Sequence, residues 1–149
     1  MSETRLTNLE RTRIEMAYAV PLIRDLQRLL GAEVINDALS RRFDDQIDAT
    51  AAPGEKADFS RMEAGTATFA EGGALDYEII GSDAEHFDLN ITGCRYAEMM
   101  DELGARDIGH LLICNRDYPA AAKIGMALTR TQTRMQGAGY CDFRYRRRG

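Results

Sequence analysis

The apolar spacing of this chain changes from a helical to a strand period at Leu75, and that change limits the architectures open to it. Upstream, Ile14, Ala17, Leu22, Leu26, Leu29 and Leu30 recur at near-helical intervals up to Gly31, and Val34, Ile35, Ala38, Leu39 and Phe43 repeat the pattern. Downstream, Leu75, Tyr77 and Ile79, then Phe87, Leu89 and Ile91, alternate with polar or smaller neighbours, the period of a half-buried strand. Gly81-Ser82-Asp83 supplies a turn between the two runs. Helices followed by strands imply an α+β fold. The expected form is an antiparallel sheet of about four strands, with N-terminal and inserted helices packed on one face.

Local signals refine this outline. Thr7 and Glu10 have the spacing of a capping box and open the first helix. Pro21 either kinks that helix or sits in the first turn of a second one. The stretch from Asp44 to Ala57 reads as a loop, Phe59 to Met62 as a helical turn, and Ala64 to Ala74 gives no pattern. Cys94 falls just past a strand end, and Tyr96, Met99, Met100 and Leu103 form a helical stripe closed by Gly104. Asp107 is expected to cap a short helix running to Cys114. Asp117 is expected to cap another turn, with Pro119 near its start.

The C-terminal segment reads as a hairpin. Met126 to Met135 and Tyr140 to Arg147 are rich in Thr, Tyr and Phe, with Gly137-Ala138-Gly139 as the loop. That loop sets Arg134 opposite Asp142 and Gln132 opposite Arg144, with Met135 and Thr133 facing Cys141 and Phe143. One face then gathers Arg130, Gln132, Arg134, Asp142 and Arg144, and the other carries Cys141, Phe143 and Tyr145. Arg134 and Asp142 would form a cross-strand ion pair, or the first face would hold a carboxylate through planar guanidinium groups.

Bulk properties exclude several classes. A length of 149 residues suits one domain, 1–149, that buries a core without disulfides. Charged residues are 29% and hydrophobic ones 44%, and no apolar run approaches a membrane span. The amino terminus has no apolar signal region, so a cytoplasmic location is expected. A net charge of -5 argues against nucleic acid as a partner, and the basic end Arg144, Arg146, Arg147 and Arg148 reads as a solvated terminus. No membrane partner is expected; a small-molecule substrate is, and homo-oligomerisation stays open. The three cysteines read as thiols or ligands rather than disulfides.

Among candidate chemical groups, Cys94 stands at a helix start, where partial positive charge and Arg95 favour thiolate. It is the first nucleophile candidate, against the plain alternative of a small buried residue at a tight junction. Cys114 lies near a helix end, where carbonyl dipoles disfavour thiolate, and Cys141 reads as core or pocket wall. Glu98, one turn after Cys94, reads as base or solvated charge, and Asp117 as cap or general base. No cofactor is required by these residues. Zinc or another divalent metal on Cys94, Cys114 and Cys141 is the alternative, although no Cys-x-x-Cys clamp is present and His110 is the one imidazole at a ligand-like offset. His86 reads as a surface or edge residue.

The ordered words CRYAEMMDELG (Cys94 to Gly104), LLICNRD (Leu111 to Asp117) and RTQTRMQGAGYCDFRY (Arg130 to Tyr145) resemble the L-2-amino-thiazoline-4-carboxylate hydrolase family. The resemblance implies hydrolytic opening of a C–N bond in a small cyclic amidine-like carboxylic acid. In that scheme Cys94 attacks the amidine carbon, Asp117 or Glu98 moves the proton, and Arg130, Gln132, Arg144 and Asp142 bind substrate. Two words depart from the pattern: DYPAAAKIGMAL lacks a Phe-x-Pro element, and Gly139-Tyr140 stand where a His commonly precedes the last Cys. The competing expectations are a non-catalytic small-ligand-binding or sensor domain of the same fold and a scaffold subunit.

Overall fold

The computed structural model describes residues 4–50 and 52–149. Residues 1–3 of the polar amino terminus and Ala51 of the expected Asp44 to Ala57 loop lie outside the described residues. Helix α1 (Asn8–Leu30) opens on the capping box: Glu10 N donates to Thr7 Oγ1 at 3.1 Å, and Thr7 N donates to the Glu10 carboxylate at 2.7 Å. Pro21 lies inside a single helix rather than dividing two. Pro21 and Ala17 are both exposed, so the Ala17 carbonyl that loses its N–H partner faces water.

Gly31, at φ 97°, turns the chain into α2 (Ala32–Asp48), which packs on α1. This helix extends past Asp44 into the expected loop, because Ile47 continues the i, i+4 spacing of Leu39 and Phe43. A further helix, α3 (Met62–Phe69), follows where the sequence gives no pattern.

Strands β1 (Leu75–Ser82) and β2 (His86–Cys94) form a hairpin, and Cys94 leads directly into α4 (Arg95–Glu102). Then come α5 (Arg106–Leu112), a 3-10 turn at Cys114–Arg116, and α6 (Asp117–Lys123). Strands β3 (Met126–Thr129) and β4 (Cys141–Arg147) complete a four-stranded antiparallel sheet of order β1-β2-β4-β3. The architecture is α+β, as the change of period at Leu75 requires.

Two apolar clusters fill the interior. One joins Met16, Val20 and Ile23 of α1 to Tyr96, Met99, Met100, Ile108, Leu112 and Met135. The other lies on the sheet's inner face, where Phe87, Leu89 and Ile91 pair with Tyr145, Phe143 and Cys141 beside Phe59, Ala121 and Met126. Leu75 and Cys94 pack against both clusters. The seam between the helices and the sheet therefore runs past the Cys94 thiol.

The C-terminal hairpin departs from the expected register. β3 stops at Thr129, opposite Arg144, and residues 130–140 form a long loop. The expected pairs Arg134 with Asp142, Gln132 with Arg144, Met135 with Cys141 and Thr133 with Phe143 are absent from the ladder. Side chains satisfy the loop backbone instead. Asp142 accepts from Thr131 N at 2.9 Å, Gln132 N at 3.0 Å and the Thr131 hydroxyl, while the Cys141 sulfur accepts from Arg134 N at 3.1 Å. Thr133 and Met135 are buried, which anchors the loop.

The basic end is likewise not a free tail. Arg147 donates to the carbonyls of Gly54, Ala57 and Ala84 and pairs with Glu85, and Arg148 donates to the Thr50 and Ile47 carbonyls. Among the described residues, no helix is long and apolar enough to cross a membrane.

Candidate functional site

The alternation of β3 decides where Arg130 points. Met126 and Leu128 face inward, and Arg130, just past the strand, continues on that side, with its side chain only 3% exposed. Its Nη1 donates to Asp117 Oδ2 at 2.8 Å and its Nη2 to the Cys114 carbonyl at 3.0 Å. The guanidinium lies between two rings, 5.1 Å from the Tyr118 centroid and 4.8 Å from that of Phe143. Ion pair, carbonyl and rings together hold one planar cation under the sheet.

Asp117 is the first residue of α6, not its cap, and a third of its side chain remains accessible. Burial pushes its carboxyl above the ordinary 3.8, against the pull of Arg130 and Arg116. Two of the thiols sit beside this pair, and Cys94 lies beside those two. Cys114 feels Arg130, Asp117 and both other cysteines, and Cys141 feels Cys94, Arg130 and Asp117. Burial raises all three thiols, Cys114 well beyond the usual range.

Cys94 differs in what opposes that burial. The N–H groups of Ala97 and Tyr96 at the start of α4, followed by the guanidiniums of Arg134 and Arg106, favour its thiolate. Arg106 is already engaged, donating to the Met135 carbonyl at 3.1 Å, the Arg134 carbonyl at 2.7 Å and the Asp101 carboxylate at 2.7 Å. Arg134 donates to the Ala138 and Gly139 carbonyls, and its buried Nε has no partner among the described residues. An orphaned donor in the company of a thiol is a candidate handle for an anion.

The structure thus brings Cys114 and Cys141 to Asp117 and Arg130, with Cys94 next to those two thiols. It leaves four expected groups elsewhere. Glu98 is exposed and pairs with Arg95 at 3.4 Å, since helix α4 turns it away from the core. Arg144 lies on the outer face of the sheet, where it donates to the Leu89 and Phe143 carbonyls. Asp142 shares that outer face and ties down the loop, and no Arg134–Asp142 ion pair forms. Gln132 is fixed through its backbone, half-buried in the loop. The cause is the register: with Thr129 rather than Gln132 opposite Arg144, Arg130 and Arg144 fall on opposite faces.

The metal alternative also meets the geometry. Among the described residues, no group of three or more His, Cys, Asp or Glu side chains is placed to hold a metal ion, so the three thiols do not form a ligand set. His110 lies on α5 while Cys114 belongs to the turn beyond it, and burial lowers the His110 pKa. His86 sits on the outer face and pairs with Asp83 at 2.8 Å. A shallow groove of about 460 Å³ runs between α5 and the loop, lined by Arg106, Asp107, His110, Met135, Gln136 and Gly137. No sulfur of the cluster lines it, but Arg106 reaches both.

The sequence profile of the L-2-amino-thiazoline-4-carboxylic acid hydrolase family matches residues 10–145. The chain belongs to that family. The match covers β1 to β3, β4 as far as Tyr145 and all three cysteines of this hydrolase-family chain, so it extends well beyond the three C-terminal words. No curated protein matches it. Sequence reasoning missed Arg106 and Tyr118 and gave Arg134 a different partner. Their only signal is cationic or aromatic character near a cysteine, and that has meaning only once the loop is folded.

Proposed function

We propose that this member of the hydrolase family opens a C–N bond of a small cyclic amidine-like carboxylic acid, of the 2-aminothiazoline-carboxylate type. The placement of Cys94 beside the two thiols that face the Asp117–Arg130 pair supports the reading. Cys94 Sγ attacks the amidine carbon. The ring C–N bond breaks as its electrons pass to the nitrogen, which takes a proton. Water then adds to the same carbon and the Sγ–C bond breaks, which restores the thiol and leaves a carbamoyl group on the opened product.

Asp117 is the group that moves protons, because its raised carboxyl is closer to neutrality than an ordinary aspartate. Arg130 acts as its positioning residue rather than as a substrate clamp, since its Nη1 and Nη2 already donate to protein and its side chain is only 3% exposed. The substrate carboxylate falls to Arg134, whose Nε has no partner among the described residues, and the groove beside Arg106 is the approach. The test is turnover of L-2-aminothiazoline-4-carboxylate by wild type, Cys94→Ala and Asp117→Asn. Ring opening that survives Cys94→Ala at the wild-type rate removes Cys94 from the scheme.

A second reading rests on one observation: burial holds all three thiols toward the neutral form. Neutral thiols suit a non-catalytic ligand-binding or sensor domain. A cyclic amidine acid that raises the melting temperature and is recovered unchanged supports that role.

A further inference from the structure

The face of α1 turned away from the core carries large apolar residues in the open. Ile14 is 60% exposed, Tyr18 79% and Leu22 51%, while Met16, Val20 and Ile23 point inward. The spacing places Arg11, Ile14, Tyr18, Leu22 and Asp25 on one stripe of this helix, which is about 35 Å long at 1.5 Å per residue. Its flanks are occupied within the chain: Arg13 pairs with Glu102, Arg24 with Asp107 and Glu15 with Arg116. Arg11 is exposed and has no ion pair among the described residues. Among the described residues, Asp25 meets only Arg28 of its own helix.

The stripe reads the same in both directions about Tyr18. One turn to either side lies an aliphatic residue, Ile14 or Leu22. Two turns away lie opposite charges, Arg11 or Asp25. Leu6, exposed ahead of the helix, balances exposed Leu29 and Leu30 at the far end. Such a pattern complements itself when two copies meet antiparallel about a two-fold axis, because residue i of one then faces the mirrored position of the other. From this symmetry we infer that the chain forms a homodimer through α1. Tyr18 meets Tyr18 at the axis, each Ile14 meets a Leu22, and each Arg11 meets an Asp25. A different partner would need no such reciprocity of charge, whereas a second copy requires it.

The experiment is sedimentation equilibrium of the full chain, with helix content checked by circular dichroism. Wild type sediments as a dimer at high concentration and dissociates on dilution. Tyr18→Glu is folded and monomeric, which its 79% exposure allows. Arg11→Asp weakens the dimer at least several-fold by facing two carboxylates, and Arg11→Asp with Asp25→Arg restores it. Oxidised Tyr18→Cys gives a covalent dimer through the two-fold, while Arg11→Cys does not. A wild type that stays monomeric at the highest attainable concentration overturns the inference. So does a dimer that survives Tyr18→Glu, or a double charge reversal no tighter than Arg11→Asp alone.

Discussion

Arg130 holds Asp117 through a 2.8 Å contact under the sheet, with only 3% of the arginine side chain exposed. Removing the cation leaves a carboxylate in a low-dielectric site and empties the space between Tyr118 and Phe143. Arg130→Met is therefore expected to cost about 3 kcal/mol, the lower end for breaking a buried pair, because a third of Asp117 is still accessible. For a chain of this length that corresponds to a melting temperature lower by about 10 °C. The double variant with Asp117→Asn should lose less than the sum of the single losses, and thermal denaturation of the four proteins measures the coupling.

The same pair sets a pH dependence. Burial raises the Asp117 carboxyl above 3.8, so above that pH the folded chain keeps a proton that the unfolded chain has released. Fewer protons bound in the unfolded state mean that this group's contribution to stability falls as pH rises from 3.8 through the raised folded value. Asp117→Asn removes that slope. Melting curves from pH 4 upward should show wild type losing stability relative to the variant; a gain would reverse the sign assigned to the carboxyl.

Parts of this site are visible in the sequence and parts are not. The inward face of Cys141, Phe143 and Tyr145 follows from strand alternation, and the position of Cys94 from the strand-to-helix change of period. These are local signals. Helix α3 is hidden because Gly65, Thr66 and Thr68 are weak helix formers and none of its residues is buried. The register of β4 is hidden for another reason: Asp142 and Cys141 bind loop N–H groups that a simple hairpin would pair across the ladder. Alternation alone carries no information about such bonds. Once the register is lost, the face of Arg130 relative to Arg144 is lost with it.

Thiol reactivity should rank the cysteines. Neutral thiols alkylate slowly, and Cys94 has two N–H groups and two guanidiniums acting against its burial where Cys141 has one of each. Cys114, pushed up furthest, should react slowest. Mass spectrometry after timed iodoacetamide treatment of the folded protein is expected to find Cys94 modified first. Earlier modification of Cys114 would contradict the electrostatic picture.

Asp142 should control the loop more than the global fold. Asp142→Ala orphans the Thr131 and Gln132 N–H groups and frees the Thr131 hydroxyl, a loss of about 1–3 kcal/mol for donors left unsatisfied, toward the lower end because Thr131 is exposed. Hydrogen exchange should then quicken at Thr131 and Gln132 while Phe87 and Leu89 in β2 stay protected. Uniform loss of protection would mean that the loop and sheet unfold together.

Gly109 links α5 to the same loop from the other side. A Cβ there would lie 2.4 Å from the Met135 sulfur, closer than any real contact, and Met135 is buried. Helix propensity alone would make Gly109→Ala stabilising by about 1 kcal/mol. Overpacking opposes it with about 1–3 kcal/mol, and Met135 has little room because Arg106 holds its carbonyl at 3.1 Å. The net expectation is a destabilised protein whose loop is displaced from α5. Pairing Gly109→Ala with Met135→Ala separates the two effects: the second change opens the space, so adding Gly109→Ala to Met135→Ala should be neutral or stabilising. If Gly109→Ala lowers the melting temperature equally in both backgrounds, the close approach of Met135 is not its cause.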